Sequence, residues 1–463
     1  MDGSQAINPY LVGNFAPVRS EDDFELEVTG QIPATLAGTF YRNGPNPQFE
    51  PRDDYHWFSG DGMIHGFFVE DGKVRYRNRY VRTPKWELEH GAGEALFGTF
   101  GNPMTTAPEA MGKDSGVANT NIVWHAGRLL ALEEGHKPFE LDPLTLAPKG
   151  YVDAYRGKVT AHPKLDPETG EMVWFAYSSG DMPLNGQMSY GVTDRSGAVT
   201  RRDEFEAPFA SMVHDFLVTR SYALFPVLPL TLSLQRAMGG QPPIAWEPDK
   251  GSHVGVLKRD ADISTMRWFT TDACYVFHPM NAWEDGDAIY ADVMEYPAAP
   301  LFPTVDGTAP QNAFARLVRW TFDLSDATNT IKREPLDDLA GEFPRFDERR
   351  AGLAYRHGWF AGMSRTGVDS VRFDTVSHID LATGKRSDHV WAAGDSPGEP
   401  VFVPRSADAA EGDGWLVAVV YRGAEQKSDF VVYDAQNVAA GPIGSARVPR
   451  RVPFGFHGNW RSA

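Results

Sequence analysis

The sequence predicts an all-β fold built from seven similar units, and three observations lead to it. Glycine (45) and proline (34) are frequent among 463 residues and aromatic residues make up 12%, a mix that suits many short strands joined by tight turns. Amphipathic helix periodicity is scarce, with one clear helical stretch at 86–97, WELEHGAGEALF. One kind of turn recurs: an apolar strand end, an aspartate, then turn residues. It stands at Asp71, Asp142, Asp194, Asp260, Asp323, Asp380 and Asp434, at successive spacings of 71, 52, 66, 63, 57 and 54. Aspartate is favoured at the first turn position because its carboxylate accepts the backbone N–H two residues on. A unit of about this size fits a four-stranded blade with variable loops, and a ring of blades is a β-propeller. A sandwich or a pair of β-domains is the alternative, with turns about every 8–12 residues. No linker or low-complexity tract divides the chain, so residues 1–463 are read as one domain.

Composition excludes several functions. The net charge of −18 argues against nucleic acid and against anionic membranes held by charge. The single cysteine, Cys274, rules out an internal disulfide and suits a reducing cytoplasm. The N-terminus MDGSQAINPYLVGNF has neither a basic nor an apolar run, so no signal peptide is expected. The most apolar stretch, YALFPVLPLTLSL at 222–234, is too short to span a bilayer and contains Pro226 and Pro229. It is read either as buried packing or as an apolar tunnel mouth that takes a lipophilic substrate from a membrane surface or micelle.

Measured from the aspartate turns, four of the thirteen histidines share a register. His162, His214, His278 and His457 follow Asp142, Asp194, Asp260 and Asp434 by 20, 20, 18 and 23 residues. The two units between His278 and His457 carry acids there: Glu342 and Glu399 each follow their aspartate by 19 residues. If these positions fall on innermost strands, the histidines converge on the ring's axis from different blades. Imidazole suits iron, copper, zinc and nickel. Ligating histidines pass their other N–H to a carboxylate or carbonyl, and Glu342, Glu399 and Glu134 are the candidates. RVPFGFHGNW at the C-terminus reads as an innermost strand, with the N-terminal strands supplying the rest of its blade.

The motifs GTFYRNGPNP, GDGMIHGF, VANTNIV, LLALEEG, TAHPKLDP, MVHDF, FHPMNAWE, GEFPRFD, GEPVFVPR and FHGNW, in this order from about Phe24 to the end, resemble the carotenoid cleavage oxygenase family. The resemblance implies a seven-bladed propeller, capped on its active-site face by loops and short helices. It implies one Fe(II) per chain on the axis, held by His162, His214, His278 and His457, with Glu134, Glu342 and Glu399 behind them. Thr120 matches a position whose side chain crowds an open iron site. The implied reaction is scission of a conjugated C=C by O2 into two carbonyl products, in a dry apolar tunnel that positions the alkene. ALFGTFGNP, ANTNIVWHAGRLLALEEGHKPFELDP and AAEGDGWLVAVV look like the bacterial branch that cleaves lignostilbenes and isoeugenol. That branch carries a tyrosine at the place of Phe100 and a lysine at the place of Glu133, a pair that grips the substrate's phenol oxygen. Here Phe100 has no hydroxyl, and Glu133 repels a phenolate while able to accept a hydrogen bond from a neutral phenol. Phe58 matches a pocket aromatic. An aryl alkene substrate is expected, with an O-methylated or non-phenolic alkene, or an apocarotenoid, as the alternative. A propeller scaffold without catalysis, or a non-oxidative enzyme such as an isomerase, are the rival functions.

The remaining nine histidines are read as structural. His90 falls 19 after Asp71, but the helical stretch around it marks an insertion, with Thr120 on the true innermost strand. His378 and Asp380 form an H-x-D pair, and Asp380 already serves the turn pattern. Cys274 reads as a small core residue, and the glycine-rich SGDGMIHG as turns rather than a phosphate cradle.

Overall fold

The computed structural model describes residues 8–99, 103–309, 313–365 and 373–463. Phe100 lies outside them. Seven antiparallel sheets of four or more strands follow one another along the chain as the blades of a β-propeller. The second blade shows the plan: Asn121–His125, Arg128–Leu132, Phe139–Leu141 and Pro148–Tyr151 pair in chain order. Inner strands such as Met172–Ala176 are wholly buried, whereas outer strands such as Val199–Glu206 are half exposed.

All seven aspartates of the repeat stand between the third and fourth strand of their blade. Five make the expected local bond: Asp142, Asp194, Asp323, Asp380 and Asp434 each accept the N–H two residues on. Two differ. Asp71 turns tightly in the left-handed region at φ 49° next to Gly72. In the fourth blade Asp262, not Asp260, accepts from Ser264. The helix spans Pro84–Ala92 and stops short of residue 97, because Gly93 takes a left-handed C-cap at φ 78°.

The ring closes through two exchanged strands. Gly458–Ser462 at the C-terminus pairs with Gly38–Pro45 of the first blade. Glu27–Gly30 edges the last blade by pairing with Gly444–Val448. The core lies between blades, around Trp174, Trp320, Trp359 and Trp415, all below 2% exposure or nearly so. Gly191 faces Trp174 across the sheet, and a Cβ there would sit 2.1 Å from the indole. The 222–234 stretch is packing: Tyr222–Val227 and Leu230–Leu232 are strands whose leucines join the main core, so it is not a tunnel mouth. Cys274 is buried. Among the described residues no helix is long and apolar enough to cross a membrane.

Candidate metal centre and cavity

The candidate residues lie at or near the start of the innermost strands. Thr120, His162, His214 and His457 directly precede or nearly precede such strands, while His278 and Glu342 lie within Tyr275–Asp285 and Ala340–Phe346. Both of the latter strands are irregular at that point. The register shifts between Val276 and Pro279 and again between Glu342 and Arg345. Such bulges re-aim side chains and cluster beside active sites. Phe343, next to Glu342, has φ 55°, a strained value for a phenylalanine.

The four histidines His162, His214, His278 and His457 place one ring nitrogen each within 4.8 Å of all the others. His214 Nε2 lies 3.1 Å from both His162 Nε2 and His278 Nε2. On the other side of three of the rings stands a glutamate carboxylate. Glu342 Oε2 meets His278 Nδ1 at 2.5 Å, Glu399 Oε1 meets His457 Nδ1 at 3.0 Å, and Glu134 Oε1 touches His214 Nδ1. An ionised carboxylate only accepts, so these contacts put the ring proton on Nδ1. The Nε2 lone pairs are then aimed at one another. At 3.1 Å lone pairs repel unless a cation lies between them. Two imidazole nitrogens about 2.1 Å from one ion and at right angles to each other stand about 3.0 Å apart, so the spacing fits a divalent metal.

Burial first, then the neighbouring histidines, hold His162 well below the ordinary imidazole pKa. Burial likewise lowers His278 and His457 against the opposing pull of Glu342 and Glu399. At His214 burial also pulls down, but Glu134 outweighs it and the net shift is upward. Burial disfavours ionisation of Glu399, yet Arg345, 3.2 Å away, and His457 bring it down to about 2. Tyr177 donates to Glu134.

His214, His278 and His457 line a cavity of about 1070 Å3. Its walls are rich in aromatic residues: Trp57 and Phe58 pack against Phe456, and Phe343 packs against His278 and His457. Thr120 lines it too; its hydroxyl donates to Asn119 Oδ1 at 2.9 Å and its carbonyl accepts from His457 N at 3.2 Å. Glu133 lines a second part of the wall but is already engaged. Its Oε1 accepts from Val117 N at 2.8 Å and Ala118 N at 3.1 Å, and lies 3.1 Å from His136 Nδ1. Gly116 permits this, since a Cβ there would stand 2.9 Å from Glu133 Oε1 and 2.2 Å from the Tyr151 hydroxyl. His90 and the His378 pair lie elsewhere: His90 stacks on Trp86 in the helix, and His378 bonds His357 at 3.0 Å.

Sequence reasoning did not single out Tyr177, Arg345, His136, Asp215 or Lys164. Asp215 stands beside His214 in MVHDF, and Lys164 two residues after His162 in TAHPK, so adjacency to the histidines was the available signal.

The sequence matches the family described as "Retinal pigment epithelial membrane protein" over residues 15–462. It is 40% identical to the isoeugenol monooxygenase of Pseudomonas nitroreducens, covering 98% of both chains. It is 39% identical to lignostilbene-alpha,beta-dioxygenase isozyme III of Sphingomonas paucimobilis, covering 98% of this chain and 97% of that one. The crystal structure of the Pseudomonas brassicacearum lignostilbene dioxygenase superposes with a TM-score of 0.94 at 34% identity, covering 99% of each chain.

Proposed function

From a chain that belongs to the retinal pigment epithelial membrane protein family, the carotenoid oxygenases, we propose an oxygenase that cleaves the conjugated C=C of an aryl alkene with O2 into two carbonyl products. The observation that carries this reading is the set of Nε2 lone pairs converging beside a cavity rich in aromatic residues. His162, His214, His278 and His457 would hold one Fe(II) per chain, which supplies the redox chemistry that O2 requires when bound. Glu134, Glu342 and Glu399 fix the tautomers of His214, His278 and His457 and offset the cation's charge. We read residues 1–463 as one propeller domain and, from the single buried thiol, as a cytoplasmic protein.

The chain's own residues divide the remaining work. Phe58, Phe343 and Phe456 exclude water and hold the aryl group and the alkene by stacking. Thr120 restricts the open space beside the histidines. Glu133, engaged with two backbone N–H groups, braces the wall rather than gripping a phenol. A donor beside it is His136, whose pKa burial lowers but Glu133 and Asp114 raise further. His136 would donate to the oxygen of a phenol or an aryl ether. Apocarotenoid cleavage is the second reading, favoured by a cavity at the upper end of the range for small-ligand sites.

The test is a metal assay followed by an aerobic screen of stilbenes, phenylpropenes and apocarotenals with added Fe(II). About one iron per chain and O2 uptake matched to two carbonyl products are expected. Failure to retain or take up any metal would leave a scaffold; turnover without O2 uptake would point to an isomerase.

A further inference from the structure

Three of the four histidines meet a glutamate at Nδ1, and the fourth faces a residue that the glutamate pattern does not include. We propose that Asp215, held by Lys164, is the fourth carboxylate of this centre and a positioning residue for His162; the inference rests on the metal reading above. Asp215 follows His214 directly, just before the short strand Leu217–Val218, and the two side chains meet different partners. His214 faces Glu134, and Asp215 faces the preceding blade. Its Oδ2 stands 3.8 Å from His162 Nδ1. Its Oδ1 meets Lys164 Nζ at 2.6 Å and accepts from Phe216 N at 2.6 Å. The aspartate side chain is 4% exposed.

A carboxylate this buried is costly unless paired and hydrogen-bonded. Lys164 supplies the pair from the short strand Lys164–Leu165, which begins two residues after His162. The two blades therefore support each other: one blade's lysine fixes the next blade's aspartate, which in turn faces the first blade's histidine. A negative charge on the Nδ1 side favours the ring proton there and leaves Nε2 directed at the other imidazoles.

This support differs from that of the other three rings. Glu342 and Glu399 stand at 2.5 and 3.0 Å from their histidines, against 3.8 Å for Asp215. Tyr177, a neutral donor, bonds Glu134, whereas Lys164 places a full positive charge on Asp215 at 2.6 Å, closer than Arg345 stands to Glu399 at 3.2 Å. His162 is thus oriented at longer range by a nearly neutral pair, and its hold on a metal depends on a residue outside the cavity wall.

The experiment uses the full chain loaded with Co(II). It reads the visible ligand-field bands and the rate at which a chelator strips the ion, with thermal unfolding measured alongside. Asp215→Asn keeps the shape and removes the charge. It is expected to shift the bands and speed metal loss by about 10-fold, within the 10–100-fold range of outer ligand partners. Lys164→Met, which leaves Asp215 unopposed, should shift the bands in the opposite sense. The double variant Asp215→Asn/Lys164→Met leaves no lone buried charge, so it carries the test if a single variant does not fold; it should keep the faster metal loss. Wild-type bands and wild-type loss rate in the double variant would overturn the proposal and reduce Asp215 to the partner of Lys164. A wild-type chain that takes up no Co(II) would overturn the metal reading itself.

Discussion

Glu133 and Glu134 are neighbours in sequence and do different things. Glu134 reaches His214 on the axis and takes a bond from Tyr177. Glu133 faces the cavity wall, where it accepts two backbone N–H groups and meets His136. The chain bends at Glu134, just past the strand Arg128–Leu132, and the two side chains part there. The axial region is built from one side chain per blade, repeated at a fixed place in each unit. The wall is built from irregular segments that the repeat does not govern. On the proposed reading, the repeated positions would hold the metal and the unrepeated ones would set substrate selectivity.

Substitutions on the two sides separate these roles. His278→Ala should have the largest effect: loss of metal binding and of turnover in a protein that stays folded, checked by metal content and circular dichroism. Retention of both would remove His278 from the centre. Glu342→Ala comes next. It leaves His278 without its acceptor, and metal affinity measured by chelator competition should fall by about 10–100-fold. His136→Phe should leave metal content untouched. It should raise KM for a 4-hydroxystilbene about tenfold, the equivalent of one charge-assisted hydrogen bond, with little change for an analogue that lacks the oxygen; an equal change for both would place His136 outside the substrate site. Phe58→Leu should have the smallest effect, about a few-fold in KM from lost ring stacking, read by steady-state kinetics. An effect of Phe58→Leu on metal content would break the separation of axis from wall.

The axial half of this comparison was legible in the sequence because it repeats. Asp142 and four of its counterparts bond their own backbone two residues on, a local act of the turn between the outer strands, and the innermost strand of the next blade follows at a nearly constant distance. His162, His214, His278 and His457 inherit that distance. The wall was not legible in the same way. Glu133 has the chemistry of an acceptor for a substrate hydroxyl, but its partners, Val117 and Ala118, come from the approach to an innermost strand, and no spacing announces that they close on it. The 222–234 stretch read equally well as packing or as a tunnel mouth because apolar residues satisfy both; pairing of Tyr222–Val227 with Ser252–Lys258 settles it as core. Asp215 was not legible for a third reason: an aspartate beside a histidine looks like a partner of that histidine, whereas Asp215 turns to Lys164 and His162 of the preceding blade.

The central claim is that four imidazoles from four blades share one ion. X-ray absorption at the iron edge of the Fe(II)-loaded protein tests it most directly. Scattering from four imidazole rings, with nitrogens at about 2.0–2.2 Å, is the predicted result; a shell with two or fewer imidazoles would contradict it.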